Sequence, residues 1–233
     1  MANLKHITIG LGEVGSAIQK IVGGMYFTRT KNNWDGKDVD VIHICIPYKN
    51  DKEFKDAVKL WQKFAKLIIV HSTVPVGTCD ALGVVHSFIT GKHPDLESGI
   101  RTFVKYFGGE KAQEAADIFE KLGIKTKIYD EARTTEAMKL ISTTYYGLNI
   151  MIEKEIHIWC KENNLPFEEV YSENNRSYNK GYLELGNAEF VRPNLKHIEG
   201  GVGGHCIIQN LDLIKDFWLG ELLKKQNEKY KKK

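Results

Sequence analysis

Residues 5–21 read Lys5-His6-Ile7-Thr8-Ile9, then Gly10-Leu11-Gly12-Glu13-Val14-Gly15, then Ser16-Ala17-Ile18-Gln19-Lys20-Ile21. The order predicts a short strand, a glycine turn and a helix. In this setting Gly10 makes the tight turn, Gly12 lets the backbone approach a pyrophosphate, and Gly15 lets the helix pack on the strand. The helix N-terminus then offers unpaired N–H groups to the anion. The stretch predicts a dinucleotide-binding unit, although a glycine turn without a ligand is the simpler alternative.

Strands and helices alternate after this unit. Apolar runs at 40–47 and 67–73 predict buried strands, with an amphipathic helix at 52–66 between them. The other predicted elements are strands at 24–28, 83–85, 102–108 and 125–129 and a helix at 112–122. The pattern predicts an α/β fold with a Rossmann-type, mostly parallel sheet that binds ligands at the carboxyl ends of its strands. The expected cofactor-binding residues lie at these ends: Gly10, Gly12, Glu13, Val14, Gly15, Arg29, Pro47, Ser72 and Thr73.

The end of the second strand leaves the choice of cofactor open. An NAD-binding fold usually has an acidic residue here to hold the ribose hydroxyls. This sequence has Thr28-Arg29-Thr30-Lys31 instead. A guanidinium would suit the 2′-phosphate of NADP, but Arg29 and Lys31 are equally consistent with solvated loop charges. We therefore expect NAD as the cofactor, with NADP as an alternative.

A long helix is predicted from Thr134 to about Asn164, with Thr134 as its N-cap and Gly147 as its single glycine. At roughly 1.5 Å per residue it is about 45 Å long, more than a small domain needs for its own core. The helix carries an apolar stripe that must be buried, and we expect it to join two domains or to form a homodimer through 134–164. The stripe consists of Ala137, Leu140, Ile141, Tyr145, Leu148, Ile152, Ile156 and Trp159.

Composition indicates an ordinary globular protein of 233 residues, 42% hydrophobic and 27% charged. The net charge of +3 resides in the lysine-rich end, 224–233, so nothing points to a nucleic-acid partner. No apolar run reaches the roughly 18 residues of a membrane span, and we find no signal-peptide pattern. The four cysteines and the histidines lack metal-ligand spacing, so we predict no metal site and reduced thiols in a cytoplasmic protein.

Four stretches together resemble one known family. Ser72-Thr73-Val74-Pro75-Val76-Gly77-Thr78 and the opening glycine turn are similar to motifs of the nucleotide-sugar dehydrogenases, the UDP-glucose/GDP-mannose dehydrogenase family. Thr135-Glu136-Ala137-Met138-Lys139-Leu140 resembles the start of that family's central helix. Gly201-Val202-Gly203-Gly204-His205-Cys206-Ile207 resembles its catalytic-cysteine loop. The resemblance implies a Rossmann-type domain followed by a helical domain, built on one long central helix, that also forms a dimer.

The family oxidises a primary alcohol of a sugar nucleotide to a carboxylate with two NAD⁺. By resemblance, Cys206 is the nucleophile that captures the aldehyde and holds the thioester. Lys139 stabilises the oxyanions and Thr73 helps to position water. The chemistry is consistent, because a thiolate is a strong nucleophile near neutral pH and a cation lowers the energy of developing negative charge.

Three positions depart from the family pattern. Thr143 stands where the family has Asn, Asn210 where it has Asp, and Ser87-Phe88 where it has Pro-Glu. The carboxylate that would assist thioester hydrolysis is therefore missing. His86 or His93 could act as a base in its place.

The expected organisation is an NAD(P)-binding Rossmann domain over 1–132, a central helical and dimerisation domain over 133–223, and a basic tail without fixed structure over 224–233. One more helix is expected at about 211–223. The family's third domain, which holds much of the substrate nucleotide, has no counterpart in this sequence. We expect either a compact relative with a different substrate or a partner that replaces this domain.

Two other functions remain open. A β-hydroxyacid dehydrogenase also places a lysine on the helix after a Rossmann domain, but it needs no thiol. A dinucleotide-binding or partner-binding protein without catalysis is the third possibility. Thr143, Asn210 and Phe88 favour this third possibility, whereas the Gly-Gly-His-Cys loop favours the sugar-nucleotide dehydrogenase.

Overall fold

The structure, a computed structural model, describes residues 4–203 and 205–231, without the side chains of His205 and Cys206. It divides into two compact units, Met1–Lys139 and Leu140–Lys233. The division falls inside the long helix, whereas the sequence placed the domain boundary after residue 132.

The first unit is built on a seven-stranded sheet with the spatial order β2-β1-β3-β4-β5-β6-β7. Neighbouring strands are parallel except for β5 and β6. The strand order reverses at β1, and in such sheets ligands bind at the carboxyl ends beside this point. The predicted Rossmann-type, mostly parallel sheet is confirmed. Its strands are β1 (His6–Ile9), β2 (Met25–Phe27), β3 (Val41–Ile44), β4 (Leu67–Val70), β5 (Val85–His86), β6 (Lys105–Gly108) and β7 (Thr126–Tyr129).

Four helices pack on this sheet: α1 (Glu13–Val22), α2 (Asp51–Trp61), α3 (Leu96–Thr102) and α4 (Ala112–Glu120). Ile18, Ile100 and Phe119 belong to one apolar core, and Phe54 and Val58 to a second. The sequence analysis missed α3. A seven-residue helix gives a weak periodic signal, and this one depends on a cap in which the Asp95 side chain accepts a bond from the N–H of Ser98.

The long helix, α5 (Ala132–Glu162), begins two residues earlier than predicted. Its first N–H groups are capped by Asp80, whose carboxylate oxygens lie 2.7 Å from the Ala132 nitrogen and 2.9 Å from the Arg133 nitrogen. Thr134 is therefore not the N-cap, because the cap comes from a residue 52 positions earlier in the chain. At the other end Asn164 has a left-handed φ of 53°, as expected for a C-terminal cap.

The apolar stripe of α5 is only partly buried. Leu140 is fully buried, but Ile141, Tyr145, Ile152 and Trp159 are between 43% and 62% exposed. A single chain therefore leaves part of the stripe uncovered, and its burial in a homodimer stays a prediction.

The second unit contains α6 (Asn174–Glu184), α7 (His205–Asn210) and α8 (Trp218–Tyr230) beside the main part of α5. Gly147 lies in the middle of α5. A Cβ atom there would lie 2.6 Å from Leu223 Cδ2 and 2.7 Å from Ile207 Cγ2. The glycine therefore allows α7 and α8 to approach the long helix closely.

The last helix differs from the prediction at both ends. It begins at Trp218 and continues to Tyr230, so most of the lysine-rich end that was expected to lack fixed structure is helical. The reason is that Leu223, Asn227 and Tyr230 fall on one face at helical spacing and are all buried. Across the residues that the structure describes, no helix has both the length and the apolar character needed to cross a bilayer.

Candidate functional site

The glycine turn lies between β1 and α1, at the carboxyl end of the sheet's reversal point. Gly10 has φ of +90°, and a Cβ atom on it would lie 2.7 Å from the carbonyl oxygen of Cys45. A Cβ atom on Gly15 would lie 1.8 Å from the carbonyl oxygen of Gly10. Both glycines are therefore required by the protein's own packing.

Gly12 is different, because a Cβ atom there would meet no other atom within 4 Å. It is the N-cap of α1, whose first residues are Glu13 and Val14. An exposed glycine facing open space at a helix N-terminus has the properties of a pyrophosphate cradle. The residues of this turn fit a dinucleotide.

The loop after β2 lies next to this turn, because β2 and β1 are neighbours in the sheet. Thr28 shapes the loop: its hydroxyl accepts a bond from the Lys31 N–H at 2.9 Å and donates to the Lys31 carbonyl at 2.8 Å. Arg29 and Lys31 are both exposed. Two cations thus stand where the ribose end of a dinucleotide lies in this fold.

The loops after β3 and β4 are joined by Ser72, whose hydroxyl donates to the carbonyl of Ile46 at 2.5 Å. Pro47 is exposed, and Thr73 is half-buried. The residues after Thr73 are held by Glu136 on α5, whose carboxylate accepts bonds from the N–H groups of Gly77 at 2.5 Å and Cys79 at 2.8 Å.

Sequence analysis missed this role of Glu136, which lies 59 residues from Gly77. Only its position near the start of a helix was visible. The carboxylate is fully buried, and burial raises its pKa, while the two backbone bonds act in the opposite direction. Glu136 thus fixes the loop that carries Thr73.

Lys139 lies one turn further along α5. Its ammonium donates to the carbonyl of Ile89 at 2.9 Å. On the preceding turn, the Thr135 hydroxyl lies 2.8 Å from His86 Nδ1, and the other ring nitrogen of His86 lies 3.2 Å from the Ser72 carbonyl. Through these bonds the first turns of α5 hold the Lys139 ammonium and the loops after β4 and β5 in place, all within the first unit.

Of the two candidate bases, the structure excludes His86. His86 is fully buried, both of its ring nitrogens have partners, and burial lowers its pKa to about 3. Phe88 is also buried and stacks on His86 and Tyr106. His93 is exposed and pairs with Glu13. The expectation that His86 acts as a base is not consistent with this geometry.

Thr143 and Asn210, both departures from the family pattern, contact each other in the second unit. The Asn210 side-chain amide donates to the Thr143 hydroxyl at 3.2 Å, and that hydroxyl donates to the Leu140 carbonyl at 3.0 Å. The nearby carboxylate of Asp212 is exposed and pairs with Lys224 at 2.9 Å. A neutral pair therefore replaces the amide and carboxylate of the family pattern.

Cys206 is the second residue of α7, and its side chain lies outside the described residues. Lys139 and Thr73 belong to the first unit and Cys206 to the second. Elsewhere in the described part of the chain, no group of three or more His, Cys, Asp or Glu side chains is arranged to hold a metal ion.

The chain has relatives among characterised enzymes. It is 28% identical over 194 residues to the UDP-N-acetyl-D-mannosamine dehydrogenase of Methanocaldococcus jannaschii, covering 72% of this chain and 42% of the relative. The enzyme of the same name from Pyrococcus horikoshii is 25% identical over 89% of this chain and 54% of its own length. The chain thus spans about half the length of these relatives. No family model matches it.

Solved structures share the fold. The UDP-D-ManNAc dehydrogenase from Pyrococcus horikoshii superposes with a TM-score of 0.71 at 19% identity, over 97% of this chain and 68% of that one. A 3-hydroxyisobutyrate dehydrogenase from Mycobacterium tuberculosis superposes with a TM-score of 0.68 at 13% identity, over 97% of this chain and 93% of that one. These likenesses concern the fold, whereas the resemblance in sequence is to sugar-nucleotide enzymes. The sequence is therefore similar to those of nucleotide-sugar dehydrogenases, the UDP-glucose/GDP-mannose dehydrogenase family.

Proposed function

We propose that this chain is an NAD(P)-dependent oxidoreductase that oxidises a primary alcohol of a sugar or sugar nucleotide. The observation that carries the proposal is the open cradle at Gly12, at the N-terminus of α1 and beside the reversal point of the sheet. The sequence relatives, both UDP-N-acetyl-D-mannosamine dehydrogenases, support a sugar nucleotide as the substrate.

The glycine turn and the strand ends would hold the dinucleotide, whose nicotinamide accepts hydride when bound. Lys139 supplies a positive charge for the oxygen of the substrate, which becomes negative as the alcohol loses its proton. The Cys206 thiolate adds to the carbon of the resulting aldehyde and forms a hemithioacetal. Loss of a second hydride converts this into a thioester. Water, positioned with the help of Thr73, hydrolyses the thioester to the carboxylate and frees the thiol.

The hydrolysis step should be slow in this chain. Phe88 and Asn210 stand where the family has carboxylates, and His86 is held neutral by burial. Without a carboxylate to activate water, a covalent adduct on Cys206 should accumulate. The adduct is visible by mass spectrometry of the intact protein after a single addition of substrate.

Counting hydrides tests the proposal. The first oxidation needs no thiol, so Cys206→Ser should stop after one reduced cofactor per substrate, while the wild type yields two. Cys160→Ser is the matched control, because Cys160 is a buried cysteine of the same unit that has no proposed role. Substrates are to be sought among sugar nucleotides and small hydroxyacids.

The other outcomes of this assay decide between the remaining functions. One hydride at equal rates from wild type and Cys206→Ser would indicate a β-hydroxyacid dehydrogenase. The observation that favours this second candidate is the fold likeness to a 3-hydroxyisobutyrate dehydrogenase over 93% of that chain. No hydride from any substrate, despite tight cofactor binding, would indicate a protein without catalysis.

Cofactor binding is tested separately by fluorescence titration with NADH and NADPH. Gly12→Val should abolish binding of both, because its side chain would occupy the open cradle. Arg29→Ala should weaken binding of NADPH much more than of NADH if the exposed guanidinium binds a 2′-phosphate. Equal binding by wild type and Gly12→Val would refute the site.

A homodimer formed through α5 belongs to the same proposal. Ile141, Tyr145, Ile152 and Trp159 form an exposed apolar stripe at helical spacing, and such stripes are usually covered in an assembly. Light scattering on a sizing column should give twice the mass of 26.5 kDa. Tyr145→Glu with Trp159→Glu should reduce it to that of one chain, and a monomeric wild type at micromolar concentration would contradict the dimer.

A further inference from the structure

A file of three histidines runs diagonally through the sheet of the first unit. His6 is in β1, His43 in β3, and His71 directly follows β4. His6 Nδ1 lies 3.0 Å from His43 Nε2, and His43 Nδ1 lies 3.1 Å from His71 Nε2. Neighbouring rings are stacked, with centroids 5.3 and 5.4 Å apart. The file is continuous in hydrogen bonds from ring to ring.

The far end of the file fixes the tautomer of every ring. His71 Nδ1 lies 2.7 Å from the carbonyl oxygen of Ser87, which can only accept, so this nitrogen carries hydrogen. Its Nε2 must then accept from His43 Nδ1–H. In turn, His43 Nε2 accepts from His6 Nδ1–H. All three neutral rings therefore carry their hydrogen on Nδ1 in this state.

Buried Lys105, in β6, lies at the same end. Its amine is 3.5 Å from His71 Nδ1 and 3.3 Å from the carbonyl oxygens of Ser87 and Phe88. The side chain is 4% exposed, and its amine lies over the rings of Phe107 and Phe119. Burial lowers the pKa of Lys105 to about 7, with Lys139 acting in the same direction and Cys45 in the opposite one.

A buried amine of this kind changes charge near neutral pH, but only if protons can reach it. His43 is fully buried and His71 is 2% exposed, whereas His6 retains 9% exposure at the other end of the file. His6 also lies close enough to Asp40 for that carboxylate to raise its pKa against the larger lowering by burial. The file therefore leads from the surface near Asp40 to Lys105.

We propose that His6, His43 and His71 conduct protons between solvent and the amine of Lys105, whose charge then tunes the acid–base behaviour of Lys139. A proton from water binds His6 Nε2, and each Nδ1–H proton moves to the next acceptor: His43 Nε2, His71 Nε2 and finally Lys105 Nζ. Each ring ends neutral with its hydrogen on Nε2, and the amine becomes an ammonium. This ammonium, 3.3 Å from the Ser87 carbonyl oxygen, then donates to that oxygen in place of His71 Nδ1–H. The reverse transfers restore the first state.

The link to Lys139 is a shared piece of backbone. The carbonyls of Ser87 and Phe88 hold Lys105, and the next carbonyl, that of Ile89, holds Lys139. The two amines are close enough to disfavour each other's charge, and such coupling is mutual. Lys105 is therefore a positioning residue that acts through Lys139, and this step rests on the proposed role of Lys139.

The surroundings of the file contain these titratable groups: Asp40 beside His6, Cys45 directly after β3, His86 from β5 and Lys139 from α5. His86 has its own partners, Thr135 and the Ser72 carbonyl. The groups that act on the Lys105 charge are Cys45, whose pKa is raised by burial, and Lys139. Lys105 thus has a neutral thiol and a second amine as its neighbours.

The test is a pH titration by NMR of the whole protein labelled with ¹⁵N at the lysine side chains, which needs neither cofactor nor substrate. The two signals are assigned by their loss in Lys105→Met and Lys139→Met. The Lys105 signal should titrate near pH 7, and the Lys139 signal should show a second, smaller inflection at the same pH. This inflection should disappear in Lys105→Met.

The relay is tested by the exchange of the Lys105 ammonium protons with water at about pH 6. His43→Leu removes the middle of the file and should slow this exchange severalfold. Thr8→Val is the matched control, because Thr8 is a buried polar residue opposite His43 in the β1–β3 register, and it should have no effect.

A Lys105 signal that is constant across neutral pH, or a Lys139 inflection that persists in Lys105→Met, would overturn the proposal. Unchanged exchange in His43→Leu would overturn the relay. Absence of cofactor binding or turnover would refute the proposed function without changing these signals, so the two failures are distinguishable.

Discussion

Two irregular segments, one containing and one preceding a proposed catalytic residue, are held in place by different kinds of contact. Residues 73–79, which begin with Thr73, are fixed at two backbone N–H groups by one buried carboxylate, that of Glu136. Residues 191–203, which precede Cys206, are fixed by hydrogen bonds to several side chains at separate points. These side chains are Asn179, Tyr171, Glu153, Lys154 and Asn227, which reach Arg192, Pro193, His197, Ile198 and Val202 respectively.

The two arrangements should respond differently to the loss of one contact. A segment fixed mainly by one buried charged acceptor loses its position when that acceptor is lost. A segment fixed at five separate points loses only a part of its order when one contact is removed, because each ordinary hydrogen bond contributes about 1 kcal/mol. The first segment should therefore be sensitive to single substitutions and the second tolerant of them.

Glu136→Ala should have the largest effect. It leaves the Gly77 and Cys79 N–H groups without their acceptor, and the loss of two bonds to a charged group costs about 3–5 kcal/mol of unfolding free energy. Urea denaturation measures this loss, and hydrogen exchange should show faster exchange at the amides of Gly77 and Cys79.

The control for this substitution is Glu131→Ala, which removes an exposed acid just before the same helix. It should change stability by less than about 0.5 kcal/mol. If Glu136→Ala were equally mild, the buried carboxylate would not be what holds residues 73–79.

The two segments should also differ in how strongly a neighbouring histidine makes the protein less stable in acid. Burial lowers the folded-state pKa of His86 to about 3, so as the pH falls below about 6.5 the unfolded chain binds a proton that the folded chain does not. Stability therefore falls with pH, by about 2 kcal/mol per histidine of this kind between pH 6.5 and 4.5. His86→Asn should remove this part of the acid sensitivity.

His157 is the counterpart beside residues 191–203, where it stacks on His197 at 3.5 Å. Burial and, to a smaller extent, His197 lower the pKa of His157, so its effect has the same sign. Because this ring is partly exposed, His157→Asn should change the acid sensitivity much less than His86→Asn. Urea midpoints at pH 7 and pH 4.5 measure this acid sensitivity for both variants. A larger change in His157→Asn than in His86→Asn would contradict the comparison.

Asn227→Ala should cost less unfolding free energy than Glu136→Ala. The Asn227 side chain is buried and accepts from the N–H of Val202 at 2.6 Å. Its loss should cost about 1–2 kcal/mol and speed hydrogen exchange at Val202, while the amides nearer Tyr171 remain protected. Lys225→Ala, an exposed change on the same helix, is the control, and a cooperative loss of protection throughout 191–203 would show that the contacts are not independent.

The parts of this structure that sequence reasoning predicted are local in the chain. The strand, glycine turn and helix of 5–21 are adjacent, and their spacing alone determines their roles. The long helix was visible for the same reason, because its period of 3.6 residues continues for thirty positions. Its N-cap was assigned wrongly, since the capping carboxylate of Asp80 is distant in sequence.

The parts that could not be predicted depend on register between strands or on contacts across long separations. His6, His43 and His71 form a file only because of the pairing of β1, β3 and β4, which no local pattern fixes. Thr143 and Asn210 appeared as two unrelated departures, yet they lie 67 residues apart and form a hydrogen bond. A single sequence does not indicate which distant polar residues meet.

Gly147 has a consequence beyond close packing. Glycine inside a helix costs about 1 kcal/mol relative to alanine, and here it creates a notch in the long helix that Ile207 and Leu223 fill. This notch fixes the axial position of the neighbouring helix, because a shift by one turn along α5 would cause a clash. The axial position of the helix that contains Cys206 therefore depends on the lack of a side chain at Gly147. Even Gly147→Ala should shift that helix along α5 rather than only loosen its packing.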